Sequence, residues 1–209
     1  MKDKSQEYFD IISIAENIFK GFPPPGFIEP DHQGEYEKVK VLGFNHIKQL
    51  NETNNVDDVK YSYIDLSKKQ KKDYCYVKQY DIVVPVLAAT DRVSTLLVEN
   101  APKEKMLYNA AVLVIRLKDT TMAKYLYIML NSESVQQSIS KLAYREKAAI
   151  SYRLTVDLIK NIKIPLLSKE QRDKIVEEYT QVQDKILKAQ EQEKQYWQKI
   201  NELKELNNI

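Results

Sequence analysis

The stretch "IKIPLLSKEQRDKIVEEYTQVQDKI", from Ile162 to Ile186, constrains the fold of this chain more than any other. Its first residues predict a short closing strand. Ser168-Lys169-Glu170-Gln171 then forms an S-x-x-Q capping box, in which the serine and glutamine side chains each satisfy a backbone N–H that a first helical turn leaves unpaired. Beyond the box, Ile175, Tyr179, Val182, Ile186, Ala189, Glu193, Tyr196, Ile200 and Leu203 step alternately by 4 and 3 residues. That is a heptad seam, and the positions around it are mostly Lys, Glu and Gln. No glycine or proline interrupts it, so the helix is expected to run roughly 50 Å at 1.5 Å per residue. A stripe so narrow and so long needs another helix along most of it. Folding back on its own domain is one solution. Projection and pairing with a partner fits the length better, with Ile175, Tyr179, Val182, Ile186, Ala189, Tyr196, Ile200 and Leu203 as the dimerisation residues.

The rest of the 209 residues suffices for one sizeable domain, giving an expected division at 1–167 and 168–209. Hydrophobic residues at 43% provide a core, and charged residues at 30% argue against wholesale disorder. The net charge of +2 makes neither part a polycation, so binding to a polyanion would have to come from local patches. Cys75 is the single cysteine, which excludes an intrachain disulfide and fits a reducing compartment. No window approaches a membrane span and the first residues lack an apolar signal core, so a soluble cytoplasmic protein is expected, with no membrane partner.

Along the globular part, Tyr8, Ile11, Ile12, Ala15, Ile18 and Phe19 have helical spacing, ended by Gly21 and the prolines at 23–25. "YEKVKVLGF" and "VKYSYIDL" alternate as strands, with "SKKQKKD" as a basic loop after them. "YDIVVPVL", "STLLVE" and "AAVLVIRL" are apolar β-rich runs, and the last suits a central strand. The period then changes. Ala123, Leu126, Tyr127 and Leu130 predict one helix, Asn131-Ser132 a break, and Val135, Ile139 and Leu142 a second helix. "REKAAIS" reads as a loop, and "LTVDLIKN" as a small helix with Thr155 as its N-cap.

Signatures of enzymes are few. With glycines only at 21, 26, 34 and 43, no phosphate-cradling Gly-rich loop can be built. Two histidines and one cysteine supply no zinc cluster, so no metal site and no catalytic residue is assigned. One nuclease-like pattern exists. Asp31, Asp58 and Lys60 fit a PD…D-x-K arrangement, in which two carboxylates hold Mg²⁺ and a lysine stabilises developing charge.

Two basic stretches interleaved with tyrosines point instead to nucleic acid. The first carries Lys68, Lys69, Lys71 and Lys72. The second, "KLAYREKAAISYR", carries Tyr144, Arg145, Lys147, Tyr152 and Arg153 in a loop between helices. Lysine and arginine neutralise phosphates, and arginine and tyrosine also reach base edges. Arg92 is a further candidate. So is Arg116, which at a strand end can instead pair with a carboxylate. The bland alternative for the first stretch is a solvated loop between strands, its tyrosines packing on the sheet.

The order of these elements resembles the specificity subunit of type I restriction-modification systems: one target recognition domain and one central helix. The resemblance is carried by "ISIAENIFKG", "YDIVVPV", "NAAVLVIRLKDTTMAKYLYIMLNSESVQQSIS" and, most specifically, "ISYRLTVDLIKNIKIPLLSKEQRDKIVEEY" with Pro165, Gln171 and Ile175. It departs at Tyr80, where the family usually has glycine, and in the loop before Ile150-Ser151, which lacks one. Family members usually carry two recognition domains and two spacer helices in about twice this length. The resemblance implies an α+β globular part with a mixed, twisted sheet and short flanking helices, followed by one long coiled-coil helix. It implies a non-enzymatic reader of double-stranded DNA that homodimerises. It also implies methyltransferase subunits, which bring S-adenosylmethionine, and in a full system a restriction subunit. Competing readings are a Mg²⁺-dependent nuclease built on Asp31, Asp58 and Lys60, and a coiled-coil adaptor with no role on DNA.

Overall fold

A computed structural model describes residues 7–22, 36–47, 59, 61–65, 75–88, 93–144 and 152–206. The chain divides into two compact units, Met1–Leu166 and Leu167–Ile209. The first is α+β and is organised around β9 (Val112–Leu117). All six residues of β9 are buried, as a strand covered on both faces must be. It lies between β2 (Ala15–Lys20) and β5 (Ile82–Pro85), and β7 (Leu96–Leu97) closes the antiparallel order β2-β9-β5-β7. A second sheet has β3 (Tyr36–Leu42) in the middle, antiparallel to β4 (Tyr61–Asp65) and parallel to β8 (Met106–Tyr108), and this gives the domain its mixed character.

The two-residue period of β9 divides its apolar run between two layers. Val112 and Val114 join Phe19, Val39, Val41, Leu96 and Met106 in a core cluster shared with the second sheet. Leu113, Ile115 and Leu117 are equally buried but lie outside that cluster, on the alternate face of the strand. Helix α2 (Ala123–Leu130) lies against β7, and α4 (Val156–Lys160) against β2. Helix α3 (Glu133–Tyr144) follows α2 after the break at Asn131-Ser132. Their buried faces are Ala123, Tyr125, Leu126 and Leu130, then Val135, Ile139 and Ala143. The faces expected from spacing are each off at a single position. Tyr127 is only half-buried, with Tyr125, two residues earlier, buried in its stead, and Leu142 is exposed, with Ala143 beside it buried in its stead.

The segment before Gly21 corrects the sequence reading. It is not one helix but β1 (Tyr8–Asp10), a single turn α1 (Ile11–Ile14) and β2. The register of β2 on β9 slips between Ala15 and Asn17. A bulge of this kind breaks strict alternation. It leaves Ala15, Ile18 and Phe19 buried, at the i, i+3, i+4 spacing of a helix. Two glycines then allow a close crossing. A Cβ on Gly21 would overlap the Asn109 backbone carbonyl, and one on Gly43 would overlap the Asn109 side-chain amide.

β1 pairs antiparallel with β11 (Lys163–Pro165), and Tyr125 donates its hydroxyl to the Pro165 carbonyl at 2.7 Å. Thr155 caps α4 as expected, its Oγ1 accepting from the Leu158 N–H at 3.1 Å.

The second unit is α5, Lys169–Leu206, 38 residues long and so about 57 Å at 1.5 Å per residue. Its start is the capping box read from the sequence. Ser168 N–H donates to Gln171 Oε1 at 3.0 Å, and Gln171 N–H donates to Ser168 Oγ at 3.3 Å. Along the seam, Val182, Ile186, Tyr196, Ile200 and Leu203 are exposed, as is Trp197 beside it. Ile175 and Tyr179 are half-buried, and Ala189 is exposed. Among the described residues, no helix is long and apolar enough to cross a membrane.

Candidate nucleic-acid interface

The domain is braced by a buried polar network. At its centre is Asp81, which opens β5 and is 1% exposed. Its carboxylate accepts from Arg116 Nε at 2.8 Å and Nη2 at 2.7 Å, from the Tyr108 hydroxyl at 2.9 Å and from the Lys78 N–H at 2.9 Å. Arg116 Nη2 also donates to the Tyr76 carbonyl at 2.7 Å, and its guanidinium lies 5.4 Å from the Phe19 ring centroid. Phe19 meets Tyr108 edge to face at 6.2 Å. Burial pulls the Arg116 guanidinium down, but the hydrogen bonds and charge of Asp81 outweigh it and raise the group above its ordinary value. Burial first, and Asp81 second, pushes the Tyr108 phenol well above its usual range. Arg116 therefore stays charged and Tyr108 stays a donor. Arg116 is a structural residue, the carboxylate-pairing alternative weighed from the sequence. A charge inside an apolar strand requires a buried counter-charge, and that signal could have pointed to Asp81.

Asp81 also fixes a turn. Its N–H donates to the Lys78 carbonyl at 3.2 Å, Tyr80 N–H donates to the Val98 carbonyl at 2.7 Å, and Val98 N–H to the Asp81 carbonyl at 3.0 Å. Held this way, Tyr80 has a φ of 67°. Such a backbone costs a side-chain-bearing residue roughly 1–2 kcal/mol and costs glycine little. The sequence departure at Tyr80 is thus a departure in conformational cost.

A second anchor is Gln136, 6% exposed on α3. Its Oε1 accepts from the Val93 N–H at 2.8 Å, and its Nε2 donates to the carbonyls of Val93 at 3.0 Å and Leu130 at 2.7 Å. Asn131 Nδ2 donates to Thr95 Oγ1 at 2.6 Å. The chain that passes through Arg92 is therefore tied down from Val93 onward. Sequence reading missed Gln136 because a glutamine in a helix usually faces water.

Most of the basic residues proposed as DNA contacts (Lys68, Lys69, Lys71, Lys72, Arg92, Arg145 and Lys147) lie outside the described residues, as do Asp31, Asp58 and Lys60. The described ends of two of these segments, that of Arg92 and that of Arg145 and Lys147, nevertheless converge. Tyr144 is not in a loop but ends α3. Tyr152 and Arg153 form β10, which pairs antiparallel with β6 (Leu87–Ala88) through Tyr152↔Ala88 and Arg153↔Leu87. Leu154 N–H adds a bond to the Val86 carbonyl at 2.8 Å. The chain thus leaves for Arg92 from Ala88 and returns from Lys147 to Tyr152, and those two residues are register partners. One two-stranded ribbon thus carries the segment of Arg92 and that of Arg145 and Lys147, with Arg153 exposed on it.

Two solved structures are similar to this chain in fold. The HsdS subunit from Thermoanaerobacter tengcongensis matches over 90% of this chain and 40% of its own, with a TM-score of 0.54 and 17% identity. The fold is that of the HsdS specificity subunit. A chain from a structure devoted to complex assembly and conformational transition of the type I R-M system matches over 97% of this chain and 44% of its own, with a TM-score of 0.54 and 15% identity. The present chain thus spans about two-fifths of the length of the HsdS-type chains it matches. No protein-family model and no curated protein matches the sequence.

Proposed function

We propose that the chain is the DNA-reading half of a type I specificity subunit, with one recognition domain (1–167), one spacer helix (168–209) and no catalytic centre of its own. The observation that carries this reading is a recognition-type fold joined to a 38-residue helix whose apolar seam is exposed. A second copy restores the symmetry of a two-domain subunit, because an isologous dimer places the same reader on both halves of a palindrome. Arg153 and the segments on the β6–β10 ribbon then contact the DNA. A methyltransferase subunit supplies S-adenosylmethionine and flips the target base. A restriction subunit would join where cleavage is needed.

The seam favours antiparallel pairing. In a parallel in-register pair, Glu193 would face its own copy and Lys199 would meet Lys204 of the second copy, two like-charge contacts. Run antiparallel, the seam layers Ile175 on Ile200, Tyr179 on Tyr196 and Ile186 on Ala189. Glu178 then lies beside Lys199, and Trp197 beside Val176.

The test is methylome sequencing of cells that express this chain with a type I methyltransferase subunit. The expected result is one new methylated motif, bipartite and palindromic, with a fixed spacer. Methylation at an asymmetric motif would remove the dimer, and no new methylation would remove the reading as a whole.

A further inference from the structure

One end of the globular unit holds apolar side chains in water. Strands β2, β3, β5 and β8 finish there and β9 begins there: Lys20 is the register partner of Leu113, Pro85 of Val112 and Leu42 of Tyr108. The turn Asn109–Ala111 leads from β8 into β9 and ties the two sheets together at this end. Asn109 N–H donates to the Leu42 carbonyl at 2.9 Å, and Val86 N–H donates to the Ala111 carbonyl at 2.9 Å. Gly43 approaches so closely that a Cβ on it would lie 2.1 Å from the Asn109 amide nitrogen. Phe44 follows Gly43 and is 47% exposed; Leu87 follows Val86 and is 55% exposed. Ala111, in the turn that both neighbours touch, is exposed too. Single apolar side chains on a surface are ordinary, but several that share one place mark a contact surface.

Both large side chains stand on fixed backbone. His46 N–H donates to the Gly43 carbonyl at 3.0 Å, and Ile47, which ends that helical turn, is 1% exposed. Leu87 is the register partner of Arg153 on the β6–β10 ribbon, and directly opposed residues of an antiparallel pair present their side chains together on one face. Lys20 and Arg153 are exposed, and among the described residues 17–22, 41–47, 82–88, 107–113 and 152–154 there is no Asp or Glu. The surface combines apolar groups with positive charge alone, which suits a polyanion that also offers apolar groups.

We propose that Phe44 and Leu87 select thymine, through apolar contact with its C5-methyl group in the major groove, beside the contact made by Arg153. Neither side chain has a polar donor or acceptor, and the thymine methyl is the apolar group that base edges offer in that groove. The inference rests on the DNA-reading function proposed above and adds to it which base the apolar residues choose.

The experiment measures binding by the full chain with its methyltransferase subunit. It uses a duplex that carries the recognised motif, a random duplex, and copies of the motif in which one thymine at a time is replaced by deoxyuracil. That replacement keeps every base-pairing group and removes only the methyl. The parent is expected to lose about fourfold at each thymine touched, the effect of withdrawing one methyl-sized group from apolar contact. Phe44→Ala and Leu87→Ala should each bind the unmodified motif more weakly and lose nothing further at one of those thymines. Thermal melts check that the variants are folded, and Phe44→Gln or Leu87→Gln replaces an alanine variant that is not. A parent indifferent to every replacement overturns the proposal, as do variants that keep the parent's full loss at every thymine. Equal weakening on the motif and random duplexes overturns it in favour of insertion between stacked bases without regard to sequence. Loss of the methyltransferase subunit, with the thymine losses intact, overturns it in favour of a protein contact. Failure of the parent protein to bind any duplex sinks the functional reading itself, a result distinct from all of these.

Discussion

Replacing Asp81 by alanine tests the buried polar network that braces the domain. The substitution removes four acceptor contacts: two from Arg116, one from Tyr108 and one from the Lys78 N–H. The largest consequence is electrostatic. The Arg116 side chain is only 6% exposed, so it becomes a buried charge that has lost its directly bonded carboxylate, a change that costs about 3–5 kcal/mol. The orphaned Tyr108 hydroxyl and Lys78 N–H would each cost about 1–3 kcal/mol alone, but contacts within one network are not additive. The Tyr76 carbonyl and the Phe19 ring still hold the guanidinium, which favours the lower half of the range. We expect a loss of about 3–4 kcal/mol, a large share of the roughly 5–15 kcal/mol that stabilises a typical domain. Urea denaturation followed by circular dichroism would show it as a midpoint shift of about 1–4 M for a slope near 1–3 kcal/mol/M. The companion Asp81→Leu/Arg116→Met should recover most of the loss, because an apolar pair of similar volume leaves no charge behind. A shift under about 0.5 M for Asp81→Ala, on the same slope, would refute the argument, since the pair would then be solvated.

Four further outcomes are expected. Gly21→Ala should destabilise by about 2–3 kcal/mol or more, because the overlap is with Asn109 backbone. Gly43→Ala overlaps only the Asn109 side chain, so Asn109→Ala should rescue it and not Gly21→Ala, as read by thermal melts. Burial holds the His46 imidazole below its ordinary value, although a backbone hydrogen bond with Gly43 opposes this. At high pH the folded and unfolded states are both neutral; as pH falls through about 6.5 the unfolded chain takes up the proton first, and stability drops. The difference in Tm between the parent and His46→Asn should therefore change below that pH and stay flat above it. Ile186→Glu/Ile200→Glu should yield a monomer in sedimentation, and a surviving dimer would refute pairing through the seam. Arg153→Ala should cost about 1–3 kcal/mol of motif-specific binding if that side chain reads a base, and unchanged preference would remove it from the reading set.

Legibility in the sequence followed how local the determining physics was. The capping box at Ser168, the Thr155 cap and the break at Asn131-Ser132 depend on neighbours within four residues, and all three stand in the structure as read. The run Val112–Leu117 was legible as a central strand because continuous burial leaves a continuous apolar string. β2 was not, since a bulge on β9 gave its buried residues helical spacing. β1, β8 and β10 are two or three residues long and carry too little pattern to be seen without their pairing partners. At the candidate site, the basic segments were visible as composition. The meeting of the Arg92 segment and the second basic stretch on the β6–β10 ribbon was not, because it depends on a register between residues some 64 apart. Gln136 and Asp81 were hidden for a similar reason: each is a polar side chain whose partners lie far along the chain.

The two units differ in what they leave unsatisfied. In the globular unit the hard problems are solved internally. Arg116, Asp81, Tyr108 and Gln136 are buried and bonded, and among the described residues no buried side-chain N or O atom lacks a partner. The helix is the reverse. Its first turn is capped, yet Val182, Ile186, Ile200 and Leu203 keep 39–55% of their surface in water, and Tyr196 keeps 70%. A long polar helix draws little stability from propensity alone, and most of what holds it must come from covering its apolar face. Folding of the distal turns and association with a partner helix are then one linked equilibrium, so helicity should rise with protein concentration. Under the proposed function the same linkage would make the helix a measuring rod, because only a filled seam could hold two readers at a constant spacing on DNA.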